Sequence, residues 1–222
     1  MLGPDALRAG SAGLRRWHPT LGFDVLAGAV DGGDLPANPW IEAGAVPIVV
    51  GGDSGLARRA ASVLVLDAHP ELAWLTSAVE EGAIAPERTL VAGVRGPLGV
   101  QDELEAVRAL GIEVMSGDEL RAAGPGEYSE RVLARTAGAS CFLSVDLDVV
   151  DPAFAPAVAT PEVAGLLPHE LITLLRSLAG TPFVGFQLSG LFPSLEGPAQ
   201  ITSVLAANLV WEMLALRVLS AP

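Results

Sequence analysis

Two short stretches carry side chains at a spacing that can do chemistry. Asp67-Ala68-His69 offers a carboxylate and an imidazole at i and i+2, and Ser144-Val145-Asp146-Leu147-Asp148 offers two carboxylates at the same spacing. Both close apolar runs, 62–66 and 141–150, that read as buried strands of a parallel sheet. Side chains at i and i+2 of a strand leave on one face, so Asp146 and Asp148 are expected as a pair. Two close anions in a dry site need a cation or a proton. Asp151-Pro152 then ends the run in a turn. If the two strand ends converge, Asp67, His69, Asp146 and Asp148 form a nitrogen–oxygen set suited to a divalent ion such as Mn²⁺ or Zn²⁺. Taken singly, each acid also fits a helix cap or a turn acceptor. Asp53, behind Gly51-Gly52, reads that way.

The elements that must position these residues follow from periodicity and breakers. Strands are expected at 24–30, 46–50, 62–66, 89–95, 112–115, 141–150 and 183–188. Helices are expected at 4–17, 54–60, 72–82, 100–110, 118–123, 128–137, 168–179 and 198–219, with a loop at 36–44 that contains Trp40. Strands alternate with helices and most strands are continuous apolar runs. The expected fold is therefore α/β, a three-layer α/β/α sandwich around a mainly parallel sheet. One domain over 1–222 suffices, and no internal repeat or low-complexity segment is visible.

Composition narrows the function classes. Thirteen basic residues stand against 26 acidic ones, for a net charge of −13. Such a surface repels phosphate backbones, which argues against nucleic acid as a partner. Every basic residue is arginine, which excludes a lysine Schiff base and a P-loop lysine. Cys141 is the sole cysteine, so no internal disulfide forms and a reducing cytoplasm is expected. No secretory signal pattern opens the chain. The apolar stretch 201–219 contains Asn208, Glu212 and Arg217, so it reads as a buried or interface helix and no membrane partner is expected. Half of the residues are hydrophobic and the mean hydropathy is +0.46, in keeping with oligomer contacts.

These stretches together resemble the ureohydrolases, the group of arginase, agmatinase, guanidinobutyrase and formimidoylglutamase. Val49-Val50-Gly51-Gly52-Asp53-Ser54 is similar to the family's Gly-Gly-Asp-His-Ser. Leu66-Asp67-Ala68-His69-Pro70-Glu71 is similar to Asp-Ala-His-x-Asp. Residues 144–161 are similar to Ser-x-Asp-x-Asp-x-x-Asp-Pro-x-x-x-Pro with its Thr-Pro ending. Residues 186–193 take the place of Asp-x-x-Glu-x-Asn-Pro. Gly93-Val94-Arg95 and the last helix are fainter echoes. The resemblance spans nearly the whole chain in family order, and the Asp146 stretch is its most specific part.

The resemblance implies a binuclear Mn²⁺ site that activates water to attack a guanidinium carbon, releasing urea and an amine. It makes Asp67 and Asp146 the ligands shared by both metals, and His69 and Asp148 the remaining ligands of one. The other metal departs from the pattern, because Ser54 stands where the family has histidine and Glu71 where it has aspartate. The family glutamate that pairs with the guanidinium falls on Gly190, and the acid three residues earlier falls on Gln187. No histidine lies between His69 and Arg95, so the family's His-Gly loop has no counterpart. His18 and His169 read as exposed bystanders. One ion rather than two is therefore expected. Histone deacetylases share the broad fold and hold a single zinc with an Asp-x-His pair and a later aspartate, a set that Asp67, His69 and Asp148 also resemble.

Two functional readings follow. In one, the chain is a metal-dependent hydrolase of a small guanidino or amidino compound, with an altered substrate. In the other it is a non-catalytic structural or regulatory subunit, supported by the joint loss of a metal ligand, the guanidinium acid and the histidine loop. The resemblance also implies a homo-oligomer, a trimer or a hexamer.

Overall fold

A parallel sheet is built where consecutive apolar strands can each bury both faces. The computed structural model, which describes residues 3–34, 41–51, 57 and 60–220, contains one six-stranded sheet. Its strands are β1 (Ile48–Val50), β2 (Ser62–Leu66), β3 (Thr89–Val94), β4 (Glu113–Ser116), β5 (Cys141–Asp146) and β6 (Phe183–Ser189). Their order is β1-β6-β5-β2-β3-β4, and every pairing is parallel. The helices are α1 (Gly3–Gly10), α2 (Leu72–Glu80), α3 (Glu103–Ala109), α4 (Gly117–Thr136), α5 (Pro168–Ser177) and α6 (Ile201–Leu219).

Alternation along the central strands separates two cores. Leu64, Leu66, Leu143 and Val145 pack with side chains of α4, α5 and α6, including Leu120, Leu171 and Leu209. Val63, Val65 and Phe142 pack on the other face with Leu75 of α2 and Val107 of α3. Helices thus cover both faces, which gives the three layers expected from the sequence. The crossovers after β2 and β3 lie on one face and those after β4 and β5 on the other. The order of winding therefore reverses between β2 and β5. In open α/β sheets such a switch point, at the carboxyl ends of the strands, is where ligands bind. Asp67 follows β2 and Asp146 ends β5, so both sit at that point.

Several expected elements differ, each for a local reason. The stretch 24–30 is not a strand. Asp24 accepts the Leu26 N–H at 3.0 Å and starts a turn, leaving a single Trp17–Asp24 bridge. The first helix stops at Gly10, followed by a 3₁₀ turn over Ser11–Gly13. The helices expected at 118–123 and 128–137 run on as α4, kinked at Gly124 (φ 62°) just before Pro125. Ser116 and Glu119 start α4 with a reciprocal cap: Glu119 N–H donates to Ser116 Oγ at 3.2 Å, and Ser116 N–H to Glu119 Oε2 at 2.7 Å. The helix expected at 54–60 and the loop around Trp40 fall largely outside the described residues.

α6 is long and apolar enough to cross a membrane by length and composition. Here it is a core helix, with Leu205, Leu209, Met213 and Leu216 buried. His18 is a correction. It is fully buried rather than exposed, stacked on Trp211 of α6 at 4.6 Å. Its Nδ1 accepts the N–H groups of Thr20 (3.2 Å) and Leu21 (3.0 Å), and Nε2 faces the Arg176–Glu212 ion pair. His18 therefore fastens the N-terminal segment to α6 and takes no part in the strand-end site. His169 is exposed at the start of α5, as expected.

Candidate metal centre

β5 ends at Asp146, and the chain turns at once through a 3₁₀ turn, Leu147–Val149. The expected strand through residue 150, with Asp146 and Asp148 paired on one face, is therefore not what forms. Asp146 caps its own turn, with Oδ1 accepting the Asp148 N–H at 3.0 Å. Its Oδ2 accepts Ser189 Oγ–H at 2.8 Å from the end of β6. The turn carries Asp148 the other way, towards β2. There Oδ1 accepts the Ala68 N–H at 3.1 Å and Oδ2 lies 2.8 Å from His69 Nδ1. Thr160 adds a donated bond to Asp148 Oδ2 at 3.2 Å.

Asp67 leaves the end of β2 with its N–H held by Ala92 O at 3.0 Å, and its Oδ1 accepts the His69 N–H at 2.7 Å. Gly93, at φ +106° in the β3 irregularity, lets the turn after β5 close on this strand end. A Cβ there would lie 2.7 Å from Val149 Cγ2 and 2.9 Å from Asp67 O. The result is a compact cluster. Ligand atoms of Asp67, His69 and Asp148 all lie within 4.8 Å of one another. Among the described residues this is the one such group, and neither Asp146 nor Glu71 joins it.

The charges are mutually dependent. Burial, with Asp148 and Asp146 close by, pushes the Asp67 carboxyl well above the carboxylate range, and His69 pulls against that rise. The His69 imidazole is held up to about 9 by Asp67 and then Asp148, against the cost of burial. Burial and Asp148 raise Asp146 as well. A cluster in which acids resist ionising and the imidazole resists losing its proton is one short of positive charge. A divalent ion supplies that charge, and one imidazole with carboxylates is a donor set for Mn²⁺ or Zn²⁺.

Of the remaining candidates, Glu71, Gln187 and Gly190 sit near this cluster. Glu71 (φ 54°) starts α2 and borders a cavity of about 280 Å³ with Asp67, Trp74, Ser144, Asp146 and Gln187. Its carboxyl is raised, by burial first and then by Asp148. Gln187 is buried on β6. Its Nε2 donates to Gly51 O at 2.9 Å, and its Oε1 has no partner among the described residues. Gly190 follows β6 at φ +83°, and a Cβ there would fall on Asp146 Oδ1 and 2.9 Å from its Cγ. A side chain at 190 and the present Asp146 carboxylate exclude each other. Ser54 and Asp53 lie outside the described residues. Cys141 is buried, its thiol pushed up to about 12 by burial, and is no nucleophile. Three neighbours of the site, Thr160, Glu162 and Ser189, carry no signal in the sequence beyond the Thr-Pro step, because the long turn and the end of β6 bring them in.

Comparison with known proteins agrees with this fold. A model of the arginase family matches residues 36–215. Proclavaminate amidinohydrolase of Streptomyces clavuligerus is 30% identical over a gapped alignment of 255 positions, covering 96% of this chain and 80% of that protein. Its solved structure superposes with a TM-score of 0.85 at 26% identity, over 99% of this chain and 86% of that one. Guanidinopropionase of Pseudomonas aeruginosa is 30% identical, covering 99% of this chain and 81% of that protein. The fold is also that of Trypanosoma cruzi formiminoglutamase, solved with Mn²⁺, at a TM-score of 0.81 and 19% identity over 99% of this chain and 85% of that one. With the family model spanning most of its length and a relative this similar across nearly all of it, the chain belongs to the arginase family.

Proposed function

We propose that this protein holds one divalent ion, Mn²⁺ or Zn²⁺, at Asp67, His69 and Asp148, and hydrolyses a carbon–nitrogen bond of a small guanidino or amidino compound other than arginine. The observation that carries this is the convergence of those three side chains within 4.8 Å at the switch point of the sheet. Relatives named as an amidinohydrolase and as a guanidinopropionase, and one solved with Mn²⁺, support the chemistry. The chemistry an ion supplies at such a site is activation of water for attack on an sp² carbon. The chain's own residues do the rest. Asp67 and Asp148 take up the ion's charge, and His69 presents a ring nitrogen once its proton leaves. Asp146 and Glu71 line the adjoining cavity, where their carboxylates suit a cationic substrate. No acid at position 190 is available to pair with a guanidinium in the family manner, which is why arginine itself is a poor substrate in this reading.

A second reading, a non-catalytic structural or regulatory relative, is favoured by that same Gly190 together with Ser54. Both readings place the protein in a reducing cytoplasm, on the strength of one buried cysteine. Both also make it a homo-oligomer, on the strength of exposed apolar side chains such as Phe154, Phe192 and Ile201. The test is metal content after purification with Mn²⁺ or Zn²⁺, with urea and ammonia release measured over a panel of guanidino and formimino compounds. About one ion per chain is expected, lost in Asp148→Ala together with turnover. A chain that takes up no ion refutes the metal site; an ion without turnover on any compound decides for the non-catalytic relative.

A further inference from the structure

We infer that Glu162 is a positioning residue for the metal centre, facing the Nε2 edge of His69 so that Nδ1 is the nitrogen presented to the ion. This rests on the metal reading above. His69 Nδ1 already points into the cluster, 2.8 Å from Asp148 Oδ2 and 3.5 Å from Asp67 Oδ1. Its other nitrogen, Nε2, lies 3.5 Å from Glu162 Oε1. An imidazole ligand must bind through an unprotonated nitrogen, and a carboxylate at the far nitrogen keeps the remaining proton there. At 3.5 Å the contact is an electrostatic one at the outer limit of a hydrogen bond.

The placement of Glu162 is built rather than incidental. It lies on the long turn between β5 and α5, whose far end is pinned by the parallel Val150–Leu166 bridge. One guanidinium fixes that turn: Arg95 donates to the carbonyls of Glu162 (2.7 Å), Val163 (3.0 Å) and Asp148 (2.7 Å), and so ties the turn to the residue that carries a cluster carboxylate. Arg121 adds bonds to Ala164 O (2.8 Å) and Gly165 O (3.2 Å). The absence of a side chain at Gly96 lets ring and glutamate meet. A Cβ there would lie 2.9 Å from His69 Nε2 and Cδ2 and 3.2 Å from Glu162 Cγ. The same turn sets Thr160 on Asp148 Oδ2 at 3.2 Å. One turn therefore reaches two of the three cluster residues, Asp148 through Thr160 and His69 through Glu162.

The test compares the full-length chain with Glu162→Ala, Glu162→Gln and Val163→Ala, the last an exposed neighbour on the same turn. Mn²⁺ affinity is read at one pH from the free-ion electron paramagnetic resonance signal. The ligand-field spectrum of the Co²⁺-loaded protein is recorded beside it. Glu162→Ala is expected to weaken Mn²⁺ binding about 10- to 100-fold, the usual cost of losing such a partner, and to shift the Co²⁺ bands. Glu162→Gln, whose amide oxygen still accepts the Nε2 proton, restores most of the affinity, and Val163→Ala changes nothing. Glu162→Ala binding Mn²⁺ within about twofold of the unmodified chain overturns the inference and leaves the metal centre standing. Equal losses in all three variants overturn it too, because the turn would then be merely structural. An unmodified chain that binds no ion overturns the metal centre, and this role with it.

Discussion

Gly190→Ala tests the geometry of position 190 without adding the acid that the sequence resemblance leads one to expect there. The substitution adds one methyl group at φ +83°, where that carbon would land on the Asp146 carboxylate. Two costs follow. A non-glycine residue in the left-handed region costs roughly 1–2 kcal/mol. Moving the carboxylate out of that clash takes Asp146 from both the Asp148 N–H at 3.0 Å and Ser189 Oγ at 2.8 Å, and a hydrogen bond to a charged group contributes about 1.5–3 kcal/mol. Losing both bonds, at the low end of each range, gives about 4 kcal/mol. At ~2–4 °C per kcal/mol for a chain of this size, the melting temperature falls by roughly 8–16 °C. Thermal unfolding followed by circular dichroism or calorimetry reads this directly. A Gly190→Ala protein that melts within about 2 °C of the unmodified chain refutes the reasoning, since Asp146 would then have another place to go at no cost. Gly190→Glu would add a second buried carboxylate to the same clash and is expected to melt lower still.

Metal affinity should rise with pH. His69, held up to about 9, must lose a proton to bind an ion, so the apparent dissociation constant falls about tenfold per pH unit between roughly 6.5 and 8.5. The raised Asp67 carboxyl steepens the slope. Calorimetric titration in buffers of different ionisation enthalpy should show at least about one proton released per ion; a flat profile with no release refutes the cluster as the ligand set. Tyr128 is fully buried with no hydrogen-bond partner for its hydroxyl among the described residues. Tyr128→Phe is expected to leave stability unchanged or to raise it by ~1 kcal/mol, and a loss above about 1 kcal/mol in chemical denaturation refutes the reading of that hydroxyl as unpaired.

The central strands were legible because each is sandwiched between two helix layers. Ser62–Leu66 is buried at every position, so its residues are apolar at every position except the small serine at its start, and the pattern needs no tertiary information. The stretch 24–30 looks equally apolar around Val25, Leu26 and Val30, yet one aspartate side chain bonded two residues ahead makes it a turn. Propensity yields there to a single local bond. His18 was illegible for the opposite reason. Its burial depends on Trp211, at the far end of the chain, and a lone histidine before proline carries no trace of that contact.

The candidate site divides along the same line. An acid at the end of an apolar strand is visible in sequence, because water-loving groups in a dry run need a reason. That singles out Asp67, His69, Asp146 and Asp148 without any coordinates. What the spacing alone does not decide is which carboxylates share a cation. The i, i+2 rule assigns Asp146 and Asp148 to one face, but it holds only while the strand continues. Here Asp146 caps a turn instead, and the turn sends the two acids to different strands, one to Ser189 and the other to His69. The partition is set by how three strand ends meet at the switch point of the sheet. For the same reason Gly190 acquires its meaning only in space. In sequence it is the place of an absent acid, while in the fold it is what allows Asp146 to stand where it does.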